Sequence, residues 1–293
     1  MRARGTLVAT MITLCGLGAV TGCGGAQGAA DARGPVGTGA AADATAPTAG
    51  SAAVTRTTKA AGGAAEAKGA QDVERPLKGK VVVIDPGHNG ANYKDPDYIN
   101  KPVDVLTKKK ACDTTGTSTD DGYSEAAFNW DVANRMAKAL RAAGATVKLT
   151  RDSNNGVGPC ITQRAAIGNK AKADAAISIH ADGATPTAHG FHVIIPKKIN
   201  GPVDPVVADS KRLGIDIRDA IRAGTGLPYS TYIGRQGLDY RNDLGGLNLS
   251  SVPKVFVECG NMRNPSDAAK FKDPKFRQRL GVALANGMEK YLG

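Results

Sequence analysis

Apolar positions follow two different rhythms along the chain. Lys80-Val81-Val82-Val83-Ile84-Asp85 is an unbroken β-branched run that stops at Pro86-Gly87, the pattern of a strand buried on both faces of a parallel sheet. From Ser124 the spacing changes. Phe128, Val132, Met136, Ala139 and Leu140 recur at three- and four-residue intervals, which predicts a helix over 124–143 with Ser124 as N-cap and Gly144 closing it. Residues 145–150 then read as strand, 161–172 as helix, 175–180 and 190–195 as strands, 205–223 as helix, 254–258 as a buried strand and 275–291 as a closing helix. Alternating strands and helices specify an α/β fold, here a single domain with a mostly parallel twisted sheet and helices on both faces.

In such sheets ligands bind outside the carboxyl ends of the strands. Three of the expected strands end on ionisable residues: His88 just beyond the first, His180 on the third and Glu258 on the late Lys-Val-Phe-Val-Glu run. Glu125 opens the helix between them, so two His and one carboxylate can converge on one edge. That set leaves an open position on tetrahedral zinc, the arrangement of a catalytic rather than a structural site. Glu258 then suits proton transfer better than ligation. Asp113, Asp120 and Asp121 are alternative carboxylates, although none precedes a helix as Glu125 does. His189 and His192 read as surface or supporting residues, since the ligand set is complete without them.

The first quarter of the chain has a different character. Arg2 and Arg4 precede a 14-residue apolar run from Leu7 to Val20, too short to span a bilayer, which takes about 20 residues, and typical of an export signal over 1–22. Val20-Thr21-Gly22-Cys23 resembles the lipobox of bacterial lipoproteins, which implies a lipid anchor at Cys23. Residues 23–75 hold no aromatics, few branched aliphatics, and five basic against five acidic side chains. Such a segment buries too little apolar surface to offset its ordering entropy, so a disordered Ala/Gly-rich tether is expected, with the folded domain over 76–293.

The whole chain has 38 Lys+Arg against 27 Asp+Glu, a net charge of +11. The excess lies in the folded part and suits anionic surroundings such as wall polymers or lipid headgroups. Export and the 4% aromatic content argue against nucleic acid, whose bases need rings to stack on.

The motifs also carry a resemblance. Val81 to His88 looks like the opening motif of the zinc-dependent N-acetylmuramoyl-L-alanine amidases, the amidase-3 family. Glu125 with Asn129 is similar to the family's Glu-x-x-x-Asn helix, Arg151-Asp152 with Arg164, Asn169 and Asp174 to its central motif, Ser178-Ile179-His180 to its third-ligand strand, and Val257-Glu258 with Asn264-Pro265 to its late motif. Together they cover about residues 78–292 in order.

The resemblance implies a peptidoglycan hydrolase that uses Zn2+ on His88, Glu125 and His180, with Glu258 as the catalytic group. It would cleave the amide between N-acetylmuramic acid and L-alanine in peptidoglycan or muropeptides; with the signal and the lipobox-like segment, an exported, lipid-anchored monomer is expected. A zinc peptidase of related fold and a non-catalytic wall-binding lipoprotein are the alternatives. His88 and Glu125 lie 37 residues apart, wider than the family's usual link, and the polar insert 89–123 is expected to be a loop beside the cleft. In an oxidising compartment Cys112 and Cys160 are the expected disulfide pair. Arg263 and the lysines of the insert are candidates to meet stem-peptide carboxylates.

Overall fold

The computed structural model describes residues 75–293. The expected signal at 1–22, Cys23 and all of the 23–75 tether but Arg75 lie outside the described residues. Eight strands and seven α-helices follow in order. The strands are β1 (Val81–Pro86), β2 (Pro102–Asp104), β3 (Lys109–Ala111), β4 (Thr146–Leu149), β5 (Ala175–Asp182), β6 (His192–Pro196), β7 (Leu238–Arg241) and β8 (Lys254–Asn261). The helices are α1 (Pro96–Ile99), α2 (Glu125–Ala142), α3 (Ile161–Lys170), α4 (Val207–Thr225), α5 (Gly245–Asn248), α6 (Pro265–Lys272) and α7 (Pro274–Leu292).

Six strands form one sheet in the order β4-β1-β5-β8-β6-β7. All neighbours are parallel except β6, which runs antiparallel to β8. The expected α/β architecture is present. Pleating sends alternate residues to opposite faces. Val82, Ile84, Ile177, Ile179, Val255 and Val257 meet α2, α4 and α7 in the main core, through Phe128, Met136, Leu213, Ile217, Leu280 and Leu284. Val83 and Ala176 point the other way, to a smaller cluster with Val252 and Ile167 of α3. Asp85, Ser178, His180, Lys254, Phe256 and Glu258 share that second face by alternation, so the thinly covered side of the sheet carries the polar groups.

Local signals set the element ends. Ser124 Oγ accepts from the Ala127 amide at 3.3 Å and starts α2. Gly144, at φ +97°, ends the turn behind it, a conformation for which Gly carries no Cβ penalty. The insert departs from the expected loop. It contains α1 and an antiparallel β2–β3 hairpin with Val103 opposite Lys110. Asn248 Nδ2 donates to Val105 O at 2.8 Å and Thr107 Oγ1 donates to Asn242 O at 2.7 Å, which ties the hairpin to the β7–α5 segment. Three-residue strands rich in Lys fall below any periodicity signal, and their pairing depends on these distant partners. Among the described residues no helix is long and apolar enough to cross a membrane.

Candidate metal centre and cleft

Because β1, β5 and β8 are parallel, their carboxyl ends lie on one edge. His180 and Glu258 are directly opposed in the β5–β8 register. His88 follows β1 at φ +58°, and two buried arginines hold it there. Arg151 Nε and Arg164 Nη1 donate to Pro86 O at 2.9 and 2.8 Å, and Arg164 Nη2 donates to His88 O at 2.9 Å. Gly87 between them is obligatory, since a Cβ there would stand 2.0 Å from the His180 ring.

Three of the expected site residues converge. One ligand atom each from His88, Glu125 and His180 lie within 4.8 Å of one another. His88 Nε2 is 3.2 Å and His180 Nδ1 2.9 Å from Glu125 Oε1. Glu125 Oε2 accepts from the Thr117 amide at 2.9 Å. Phe256 stacks on His180 with ring centroids 4.1 Å apart. Two imidazole nitrogens and a carboxylate oxygen at this spacing are a donor set that fits zinc.

The electrostatics point the same way. Desolvation opposes charge on His88, but Glu125 and then Asp113 outweigh it and hold the imidazole up to about 10. Burial likewise opposes charge on Glu125, and the two histidines hold it well below the usual carboxylate range. The carboxylates around His88 thus favour a positive charge at this point of the cluster.

Behind His88 stands a group whose role the sequence did not reveal. Asp113 Oδ1 lies 3.3 Å from His88 Nδ1, and its Oδ2 accepts from Arg164 Nη2 at 3.0 Å. Arg164 Nη1 also donates to Asp85 Oδ1 at 3.0 Å. Asp85 accepts in addition from Thr150 at 2.7 Å, Ser178 at 2.7 Å and Lys254 at 3.1 Å. Of the alternative carboxylates, Asp113 therefore supports His88 from the far side, while Asp120 and Asp121 are exposed and pair with Arg263 and Lys272.

Glu258 Oε2 is shielded from solvent with no hydrogen-bond partner among the described residues. Burial, then the charges of Glu125 and Asp182, raise this carboxyl well above the usual glutamate range. His192, opposite Glu258 in the β6–β8 register, is 1% exposed rather than on the surface. His189 precedes β6 and is partly exposed. The cavity over the cluster has a volume of about 380 Å³, with Lys110, Leu244 and Gly246 on its lining beside His88, Glu125, His180 and Glu258. Arg263 does not line it. Cys112 and Cys160 are buried free thiols. They are near neighbours: burial and then Cys160 push the Cys112 thiol up to about 12.

Fold and cluster define an α/β protein with a His-Glu-His centre of metal-binding type at the carboxyl edge of its sheet. The chain belongs to the amidase-3 family, N-acetylmuramoyl-L-alanine amidase, which matches residues 82–290. It is 39% identical over 217 residues to N-acetylmuramoyl-L-alanine amidase Rv3717 of Mycobacterium tuberculosis, covering 74% of this chain and 88% of that one. Among solved structures it is similar to the amidase Ami1 of Mycobacterium smegmatis, with 41% identity, a TM-score of 0.70, and 74% and 98% of the two chains covered. The apo form of Ami1 from Mycobacterium abscessus is also 41% identical, with a TM-score of 0.69 and 74% and 100% covered. The chain is thus a peptidoglycan amidase. Peptidoglycan lies outside the cytoplasmic membrane, so this is an exported enzyme.

Proposed function

We propose that His88, Glu125 and His180 hold a zinc ion and that Glu258 carries the protons in hydrolysis of the amide between N-acetylmuramic acid and L-alanine. The convergence of three ligand atoms within 4.8 Å beside a buried, unpartnered carboxylate carries this reading. Zinc in such a site acidifies water to a pKa of about 7 and polarises a carbonyl. Glu258 takes a proton from the attacking water at its free Oε2 and delivers it to the departing L-alanine amine. Its raised pKa lets it hold that proton between the two transfers. Phe256 fixes the plane of His180, and Thr114 O at 3.0 Å together with Asp113 at 3.3 Å engages Nδ1 of His88, which leaves Nε2 free to ligate.

The deciding experiment is mass spectrometry of muramoyl-peptides incubated with the zinc-loaded full chain, with chelated protein as control. We expect intact stem peptides with a free L-alanine amine, lost on chelation. Cleavage inside the peptide would point to the peptidase alternative, and no cleavage despite bound zinc to a wall-binding protein. Asp113→Asn will weaken zinc binding by about 10–100-fold. Competition with a chromogenic chelator reads this, and the melting temperature of the metal-free protein serves as the folding control.

The lipobox-like Val20-Thr21-Gly22-Cys23 supports anchoring through a lipid on Cys23, with the enzyme working as a monomer on the outer face of the membrane. Outside the cytoplasm the neighbouring Cys112 and Cys160 form a disulfide, which secures the insert beside Asp113. A thiol count on denatured, unreduced protein from the exported fraction should find Cys259 alone free. Three free thiols would exclude the bridge.

A further inference from the structure

The lining of the cavity that holds the cluster has a second chemical feature. Most charged groups lining it are already satisfied by one another. Asp85 and Arg164 pair in the buried network with Asp113. His88, Glu125 and His180 face each other. Asp182 accepts from the Tyr232 hydroxyl at 3.0 Å and from the Gly183 amide. Glu258 is reserved for proton transfer in the reading above. What remains is Lys110, among the described residues the one Lys or Arg of the lining that is not enclosed in a buried pair.

Its ammonium is nearest to Asp243, at 3.7 Å, beyond a hydrogen bond of ordinary length. That carboxylate is already taken. Arg241 engages it through Nε and Nη2, each at 2.8 Å, and Lys108 reaches it at 3.1 Å. Three cations therefore share the Asp243 carboxylate. Lys110 is the member of the trio that faces the cavity. Its side chain is one-third exposed, so all three ammonium donors can turn to a ligand.

The carrier of this charge is fixed. Lys110 sits in β3, paired across to Val103 of β2. The turn of the hairpin is bound to Asn248 and Asn242, and Val105 is fully buried where a Cβ on Gly245 would meet it at 2.6 Å. A framework position, rather than a swinging loop, makes the ammonium a selective contact and not only a source of long-range attraction. Outside the His-Glu-His cluster and the buried network of Asp85, Arg164 and Asp113, the other ionisable side chains of the lining are the carboxyl groups of Asp182 and Glu258, so Lys110 is the lining's accessible ammonium for a peptide carboxylate.

Resting on the amidase reading of the site, we propose that Lys110 binds a free carboxylate of the stem peptide. It makes the enzyme selective for substrates that carry that carboxylate close to the scissile amide. An extended peptide advances about 3.3–3.6 Å per residue. The α-carboxylate of a D-glutamate in the second position thus lies about 7 Å from the amide, and amidation of that group removes its charge.

The test compares kcat/KM of the zinc-loaded full chain on muramoyl-L-alanyl-D-glutamate and on the same compound with the α-carboxylate amidated. A charge-assisted hydrogen bond corresponds to about tenfold to a hundredfold in binding, so the wild type should prefer the free acid by that factor. Lys110→Met should bring the ratio to about one, chiefly through KM on the free acid, and Lys110→Arg should restore most of it. Lys109→Met, on the exposed neighbour, should keep the wild-type ratio. Equal rates on the two substrates by the wild type would overturn the proposal, as would an undiminished preference in Lys110→Met. Absence of cleavage of either substrate by the zinc-loaded wild type would instead remove the amidase reading on which the proposal stands.

Discussion

Glu258→Gln will lower kcat by about 10²–10⁴-fold, the usual contribution of a positioned general acid–base, while zinc content stays at the wild-type level. The amide keeps the volume of the carboxylate but cannot take up a proton, so the effect falls on turnover and spares the fold. Glu258 is placed for this by strand register alone: it stands opposite His180, and its Oε2 has no partner to compete for the proton. The pH dependence follows from the sign of its shift. A base works only when ionised, and burial together with Glu125 and Asp182 disfavours ionisation. The acid limb of kcat should therefore lie above the ordinary glutamate value, with activity rising as pH rises through it. In Glu258→Gln that limb should vanish from the residual rate. A variant with full turnover, or one that loses zinc in parallel with activity, would remove Glu258 from the proton-transfer role.

Asp85→Asn will destabilise the domain by about 3–5 kcal/mol, the cost of breaking a buried ion pair by removing one partner. In a domain of this size that is a fall in melting temperature of about 6–20 °C. The side chain is 3% exposed and faces Lys254 and Arg164 at once. An amide there leaves Lys254, also 3% exposed, as an uncompensated buried charge. Burial opposes ionisation of Asp85, but Lys254 and Arg164 prevail and hold its pKa well below the ordinary value. A depressed folded-state pKa contributes stability that is fully present above the unfolded value and disappears as pH falls through the folded one. Asp85→Asn should accordingly flatten the acid arm of the stability–pH curve. Asp209→Asn, which removes an exposed pair with Arg212, should leave the melting temperature unchanged. Thermal unfolding of both variants between acid and neutral pH checks the contrast.

These two residues also mark how far the chain could be read without its fold. Val81 to Asp85 and the 3.6-residue rhythm of α2 are local patterns, repeated over enough positions to identify a buried strand and an amphipathic helix directly. From them follow the parallel sheet and its carboxyl edge, and with that edge the meeting of His88, Glu125 and His180, because parallel strands must end together. The neighbours of those residues obey no such rule. Asp113 lies 25 residues beyond His88 in a polar insert, and it reaches the ring only because α1 and the β2–β3 hairpin fold the insert back on itself. Lys254 meets Asp85 across 169 residues, His192 is buried because β6 turns antiparallel onto β8, and Lys110 faces the cleft because Asn242 and Asn248 hold its hairpin from the far end of the domain. Periodicity and strand ends are properties of contiguous sequence, so the chain alone determined the scaffold and the convergence of His88, Glu125 and His180. Partners that support a ligand or select a substrate are chosen by distance in space, and only the tertiary structure decided those.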